Sequence, residues 1–262
     1  MTIEPWLARE PERTLDEYCF AWEGERETVR HLDGAVAHEL PIPWEGSNGF
    51  IVKMRLDEGR ADDQLDRLVA ELETDDRHFI WIVGPSSTPA DLGRRLQERG
   101  FVLGVEWNGM VLEEIPDAMP NNPRVTVEPL SEENAEEYAT VLEEGAAPEI
   151  IAERASAARR FVANPRPDMG IFLGRLDGRA AGAVVHHVEP NGVAYLRNAY
   201  TRQDARGHGV YSALVTHRLQ LAKQAGCTKA AVQANRETSS PILAKRGFKT
   251  VSQIYGYVKP PA

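Results

Sequence analysis

The chain repeats itself, and the repeat limits what it can fold into. Arg99-Gly100-Phe101 is followed by VLGVEWNGMVLEE, and Arg246-Gly247-Phe248 by KTVSQIYGYVKPP. Gly100 matches Gly247, Gly109 matches Gly256 and Val111 matches Val258, each pair 147 positions apart. Upstream of the first run, Phe79 to Val83 is apolar, then comes a Pro/Ser turn and a helical stretch from Asp91 to Arg99; residues 229–248 repeat that order. One shared tripeptide arises by chance, but a shared order of strand, turn, helix and Gly-Phe predicts two copies of one fold in tandem. The 262 residues suffice for two ordinary domains. Between the copies lies PDAMPNNP at 116–123. So many prolines and asparagines cannot continue a strand and suit an exposed linker. The expected division is therefore 1–115, a linker at 116–123, and 124–262.

Within the second copy, residues 193–226 read as a strand, a basic glycine turn and a long helix. Val193 to Thr201 is aliphatic, aromatic and free of proline. From Val210 onward the spacing is helical: Val210, Tyr211, Leu214, Val215, Leu219, Leu221 and Ala222 share one face. Arg218 interrupts that face, and its long stem is expected to carry the charge out to water. Gly226 supplies a helix stop. The turn between strand and helix contains Arg202, Arg206, Gly207, His208 and Gly209. Glycines let a ligand approach the backbone, and the first N–H groups of a helix have no intrahelical partner and sit at the positive end of its dipole. A pyrophosphate is the natural occupant of such a turn.

The segment resembles motif A of the GNAT superfamily of acetyl-CoA-dependent N-acetyltransferases, in which a strand leads into a Gln/Arg-x-x-Gly-x-Gly/Ala loop. The match departs from the pattern in either register: Asp204 stands where Gln or Arg is usual, or Tyr211 closes the motif opened by Arg206. Downstream, a strand at 227–234, Asn235, a Ser-rich turn and a helix ending in Gly247-Phe248 follow the family order. Many members carry a Tyr four residues before that Gly as the acid for the departing thiolate; here the position is Leu243. The resemblance implies an α/β (α+β) fold, a mixed and mostly antiparallel sheet flanked by helices, in two copies. It also implies acetyl-CoA as co-substrate. Ala199, Tyr200, Thr201, Arg206, Gly207, His208, Gly209, Val210, Tyr211 and Asn235 are the residues expected to hold it.

The first copy carries no such loop. Its equivalent segment, FIVKMRLDEGRADDQLDRLVAEL from Phe50, has Asp57, Glu58, Asp62 and Asp63 around the turn and only Gly59. Carboxylates suit a helix N-terminus but repel a pyrophosphate. This half is expected to be structural and to shape the acceptor pocket, with Trp44, Trp81 and Trp107 as core or interdomain aromatics.

Acetyl transfer needs a deprotonated amine, a polarised thioester carbonyl and a protonated leaving thiolate. By the resemblance, backbone N–H groups of Ala199 to Thr201 polarise the carbonyl. The base is sought among His186, His187 and Glu189 on the preceding strand, or in a water wire. Strand alternation puts the two histidines on opposite faces, so one at most faces the reaction. His187, Tyr195 and Tyr211 are the catalytic candidates, Tyr211 as the acid; Glu149 and Glu153 are candidates for holding a cationic amine. The net charge of −10 argues against a nucleic-acid surface. Cys19 and Cys227 make neither a disulfide framework nor a metal set, so no metal is expected. MTIEPWLARE lacks the character of a signal peptide, and no apolar run approaches the ~18 residues of a membrane span, so a cytoplasmic location is expected and no membrane partner. The expected function is transfer of an acetyl group to a primary amine of a small molecule. The alternative is a non-catalytic acyl-CoA-binding or protein-interaction module, which Leu243 favours. Oligomeric state cannot be read from the chain.

Overall fold

A computed structural model describes residues 28–44, 46–74, 76–120, 122–188 and 192–260. Their contacts divide into two compact units, one built from residues 28–110 together with 233–260 and the other from residues 111–232.

The first unit opens with an antiparallel meander of β1 (Thr28–Leu32), β2 (Ala35–Trp44) and β3 (Ser47–Val52). Helix α1 (Ala61–Leu72) then carries the chain to β4 (Ile80–Val83), which lies parallel to β3 through Phe50↔Ile80 and Ile51↔Trp81. The helix is amphipathic: Ala61, Leu65, Leu68 and Leu72 recur at helical spacing and are buried with Ile51, Met54, Phe79 and Trp81. Asp62 and Asp63 occupy its first turn, where the dipole favours them. Helix α2 (Leu92–Glu98) and β5 (Val102–Leu112) follow. The strand order is β1-β2-β3-β4-β11-β5, where β11 (Lys249–Val258) runs antiparallel to β4 through Tyr255↔Val83, Gly256↔Ile82 and Tyr257↔Trp81.

The repeat is visible bond for bond. After α2, Arg99 N–H donates to Leu96 O at 3.0 Å, Gly100 to Gln97 at 3.0 Å and Phe101 to Leu96 at 3.2 Å. After α6 (Ser239–Ala244), Arg246 donates to Leu243 at 2.9 Å, Gly247 to Ala244 at 3.1 Å and Phe248 to Leu243 at 3.2 Å. Gly100 and Gly247 are both left-handed, φ 84° and 89°, which is why glycine stands at both stops. Leu96 and Leu243 are both fully buried. The compact units nevertheless do not follow the sequence copies: residues 233–260, expected with 124–232, pack in the first unit. The repeat identifies strands by their side chains, but it carries no information on which backbone edge a strand joins.

The second unit is an antiparallel run of β6 (Val125–Pro129), β7 (Met169–Leu176), β8 (Arg179–Val188) and β9 (Val193–Thr201), extended by the start of β10 (Lys229–Asn235) in parallel. Asp177 (φ 49°) and Gly178 (φ 84°) turn β7 into β8 with the left-handed pair a tight hairpin requires. Helices α3 (Ala135–Leu142) and α4 (Pro148–Ala163) pack on each other, and α5 (Val210–Gln224) buries Val210, Ala213 and Leu214 with Val125, Ala181 and Val184. Gly174 and Gly182 leave the room that Leu214 fills.

The segment before β6 is largely exposed but fastened in place: Lys223 Nζ donates to Ile115 O at 3.2 Å, Thr216 Oγ1 to Pro120 O at 3.0 Å and Asn122 Nδ2 to His208 O at 2.7 Å. Lys223 and Thr216 of α5 and the turn before that helix thus hold it. One expectation needs correction here: Arg218 does not reach water. It is 0% exposed, because its guanidinium finds backbone carbonyls inside the fold.

Candidate functional site

The turn from Arg202 to Gly209 has the geometry its glycines foretell. After a short 3-10 turn at Gln203–Ala205, Gly207 (φ 78°) and Gly209 (φ 77°) adopt left-handed conformations, and Gly209 serves as the N-cap of α5 with no side chain capping the helix. The backbone N–H groups of Gly207, His208, Gly209 and Val210 make no hydrogen bond among the described residues. They are free for an anion at the positive end of a fifteen-residue helix. Val210 is buried and contributes only its backbone, whereas Arg206 and His208 are exposed.

Asp204, the departure from the family pattern, sits between two arginines, with Arg202 Nε at 3.2 Å and Arg179 Nη2 at 3.3 Å. The Arg202 bond first, against some desolvation, holds its carboxyl below the usual range, so its charge is already compensated. Arg206 donates to Thr201 O at 3.3 Å. Glu144, on the turn after α3, accepts from Tyr200 hydroxyl and from Gln203 N–H, both at 3.0 Å, and ties the end of β9 to the turn. Burial first, then Glu144, pushes the Tyr200 phenol up.

Strand β9 departs from regular pairing at two places. Its ladder with β10 covers only Val193 to Tyr195. On the other edge the register jumps from Val185↔Arg197 to Val184↔Ala199, so Asn198 is an extra residue with φ 32°, a β-bulge. Ala199 is exposed, and Tyr200 and Thr201 are half-buried.

His187 and Tyr195 are ladder partners on adjacent strands and share a face. Both are buried. His187 Nε2 lies 2.8 Å from Asp168 Oδ2, and Asp168 is gripped by Arg166 at 3.1 and 2.6 Å. The Arg166 bond first, with His187 adding to it against desolvation, pulls the Asp168 carboxyl down to about 2. An ionised Asp168 accepts the Nε2 proton and fixes the tautomer of the ring. His186 occupies the opposite face; burial first, then the charge of Arg218 and the neighbouring histidines, pushes it down to about 4. It is neutral at pH 7. Glu189 and the side chain of Trp44 lie outside the described residues.

Tyr211, on the first turn of α5, lies near the Arg218 guanidinium. Asn235 is occupied otherwise: its Oδ1 accepts from Glu237 N–H, Thr238 N–H and Thr238 Oγ1 at 3.0–3.1 Å, capping the turn before α6. Glu149 and Glu153 are exposed on α4. In the first unit the equivalent turn is filled by its own side chains. Gln64 Oε1 accepts from Asp57 N–H and Asp57 Oδ1 from Gly59 N–H, both at 2.9 Å, while Asp62 is paired with Arg95 and Arg99. Trp81 is core, its indole N–H bonded to Glu73 at 2.7 Å, and Trp107 is nearly buried. Asn122, Glu144, Asp168 and Arg197 were not singled out by the sequence; each acts through a contact distant in the chain, which periodicity and spacing do not report. Among the described residues no group of three or more His, Cys, Asp or Glu is placed to hold a metal ion. Among the described residues no helix is long and apolar enough to cross a membrane.

The comparisons with known proteins agree with this geometry. Residues 129–248 match the model of the acetyltransferase (GNAT) family. A GCN5-related N-acetyltransferase from Kribbella flavida superposes with a TM-score of 0.66 at 16% identity, covering 90% of each chain. A tandem GNAT protein from the clavulanic acid biosynthesis pathway superposes with a TM-score of 0.58 at 15% identity over 87% of this chain and 79% of that one. A GCN5-related N-acetyltransferase from Sphaerobacter thermophilus gives 0.56 at 17% identity, over 87% and 78%. At such identities the likeness shows the fold. No curated protein sequence matches the chain. Motif, topology and family match converge on one statement: over residues 129–248 the chain is a domain of the GNAT acetyltransferase family, a family of acyl-transferring proteins.

Proposed function

We propose that the chain is an N-acetyltransferase that uses acetyl-CoA to acetylate a primary amine of a small molecule. The observation that carries the reading is the row of free N–H groups at Gly207–Val210, opening a helix beside an exposed arginine. Acetyl-CoA supplies the activated thioester and, in its pyrophosphate, the anion that fits this row. Gly207 and Gly209 keep the approach to the amides clear of Cβ atoms, and Arg206 adds charge. Beyond the bulge, the N–H groups of Ala199 to Thr201 polarise a carbonyl laid against the free edge of β9. His187, oriented by Asp168, takes the proton of the attacking amine, with Tyr195 beside it. As the carbon–nitrogen bond forms, the carbon–sulfur bond breaks and the thiolate takes a proton from Tyr211 or from water.

Leu243 favours a second reading, a module that binds acyl-CoA or a protein and catalyses nothing. Calorimetry with acetyl-CoA followed by thiol release over a panel of amines separates the two. One site per chain and amine-dependent release are expected. Release that no amine accelerates would discard the enzyme. Tyr211→Phe is expected to lower turnover on the order of a hundredfold with acetyl-CoA affinity unchanged; an unchanged rate assigns the proton to water.

A further inference from the structure

Arg218 is fully buried, and among the described residues no carboxylate pairs with it. Its Nε and Nη2 make no hydrogen bond there, and the neighbouring His186 Nδ1 and His217 Nε2 are buried without partners too. Burial pushes the guanidinium down to about 10, which leaves it charged at neutral pH. An enclosed cation without a counter-ion is costly, and an apolar residue of similar volume is often as stable or more so. Its retention on an apolar helix face calls for a specific task.

The bonds it does make show the task. Nη1 donates to Arg197 O at 2.8 Å and to Val185 O at 3.3 Å. These residues are the ladder pair adjoining the bulge, after which Asn198 is the extra residue and Ala199 pairs with Val184. A bulge breaks the local ladder and leaves polar backbone groups to be satisfied by other means. Arg218 supplies the missing donor from the helix above.

We propose that Arg218 is a positioning residue: by holding the carbonyls of Val185 and Arg197 it fixes the bulge at Asn198, and with it the direction of the N–H groups from Ala199 to Thr201. The functional half of this inference rests on the acetyl transfer proposed above; the clamp itself does not.

The test uses the full chain with Arg218→Met, which keeps the stem and removes the donors, and Arg218→Lys, which keeps charge and one donor group. Amide exchange resolved at Asn198 and Ala199 is expected to speed up at least tenfold in Arg218→Met, with exchange in α5 unchanged. Turnover is expected to fall on the order of a hundredfold while KM for acetyl-CoA stays within about threefold, because the amides at Gly207–Val210 are untouched. Arg218→Lys should recover part of both losses, and carries both readouts if Arg218→Met does not fold. Unchanged exchange at Asn198 and Ala199, or unchanged turnover in a folded variant, would overturn the clamp. Wild-type protein that acetylates no amine would overturn the proposed function instead, and the exchange difference would still decide whether Arg218 holds the bulge.

Discussion

Gly207 and Gly209 look interchangeable in sequence and in backbone angle, φ 78° and 77°, yet the structure predicts unequal penalties for alanine. A Cβ in the left-handed region costs about 1–2 kcal/mol at either position. At Gly207 the added methyl meets nothing within 4 Å. At Gly209 it would lie 3.0 Å from Asn122 Nδ2, the atom that donates to His208 O at 2.7 Å. Displacing that amide forfeits a hydrogen bond worth about 1 kcal/mol. If the loop must hold its shape to bind a pyrophosphate, Gly207→Ala should weaken acetyl-CoA about 5- to 30-fold and Gly209→Ala about 30- to 150-fold. Titration calorimetry on both variants measures the difference. In an Asn122→Ala background the additional penalty at Gly209 should vanish, leaving the two glycines alike, since the cycle removes the shared contact. Equal losses at the two glycines with Asn122 intact would refute the role given to Asn122. No loss at either would refute the anion site.

Three other outcomes follow from the same geometry. Asp168→Asn leaves the His187 ring without its charged partner and should lower turnover tenfold to a hundredfold with KM for acetyl-CoA unchanged; steady-state kinetics at saturating amine measure it. His186 binds its proton near pH 6.5 when unfolded but near 4 when folded, so the unfolded state takes up more protons across that window. Stability should therefore fall by up to about 3 kcal/mol as pH drops from 6.5 to 4, with half-buried His217 adding in the same direction, and His186→Phe should flatten the urea-midpoint profile there. Leu243→Tyr, which restores the residue usual in the family, should instead destabilise the fold by about 1–3 kcal/mol, because the position is fully enclosed; thermal melts decide.

Much of this was legible from the chain, for reasons that also explain what was missed. The glycine turn could be read because left-handed backbone and close approach demand glycine itself, so the residue type reports the geometry. The repeat could be read because Leu96 and Leu243 perform the same packing and the same helix stop. Arg218 was misjudged because a helical wheel gives the face of a side chain but not the carbonyls waiting beneath it. Asn235 suggested a ligand contact, whereas its carbonyl oxygen is spent on three local donors. Asn122 and Asp168 act across chain separations that no local pattern encodes.

The place of β11 has a temporal consequence. Strand β4 becomes available early in synthesis, yet the partner at its outer edge is drawn from residues 249–258, made more than 160 residues later. At about 5–20 residues per second, the nascent first unit waits on the order of ten seconds with the edge of β4 uncovered. An uncovered edge invites pairing with other chains. The first unit cannot mature as a self-sufficient body on the ribosome, and a cut within 116–123 would yield a leading fragment deprived of a strand it needs. Closure of its sheet waits on the synthesis of residues 249–258.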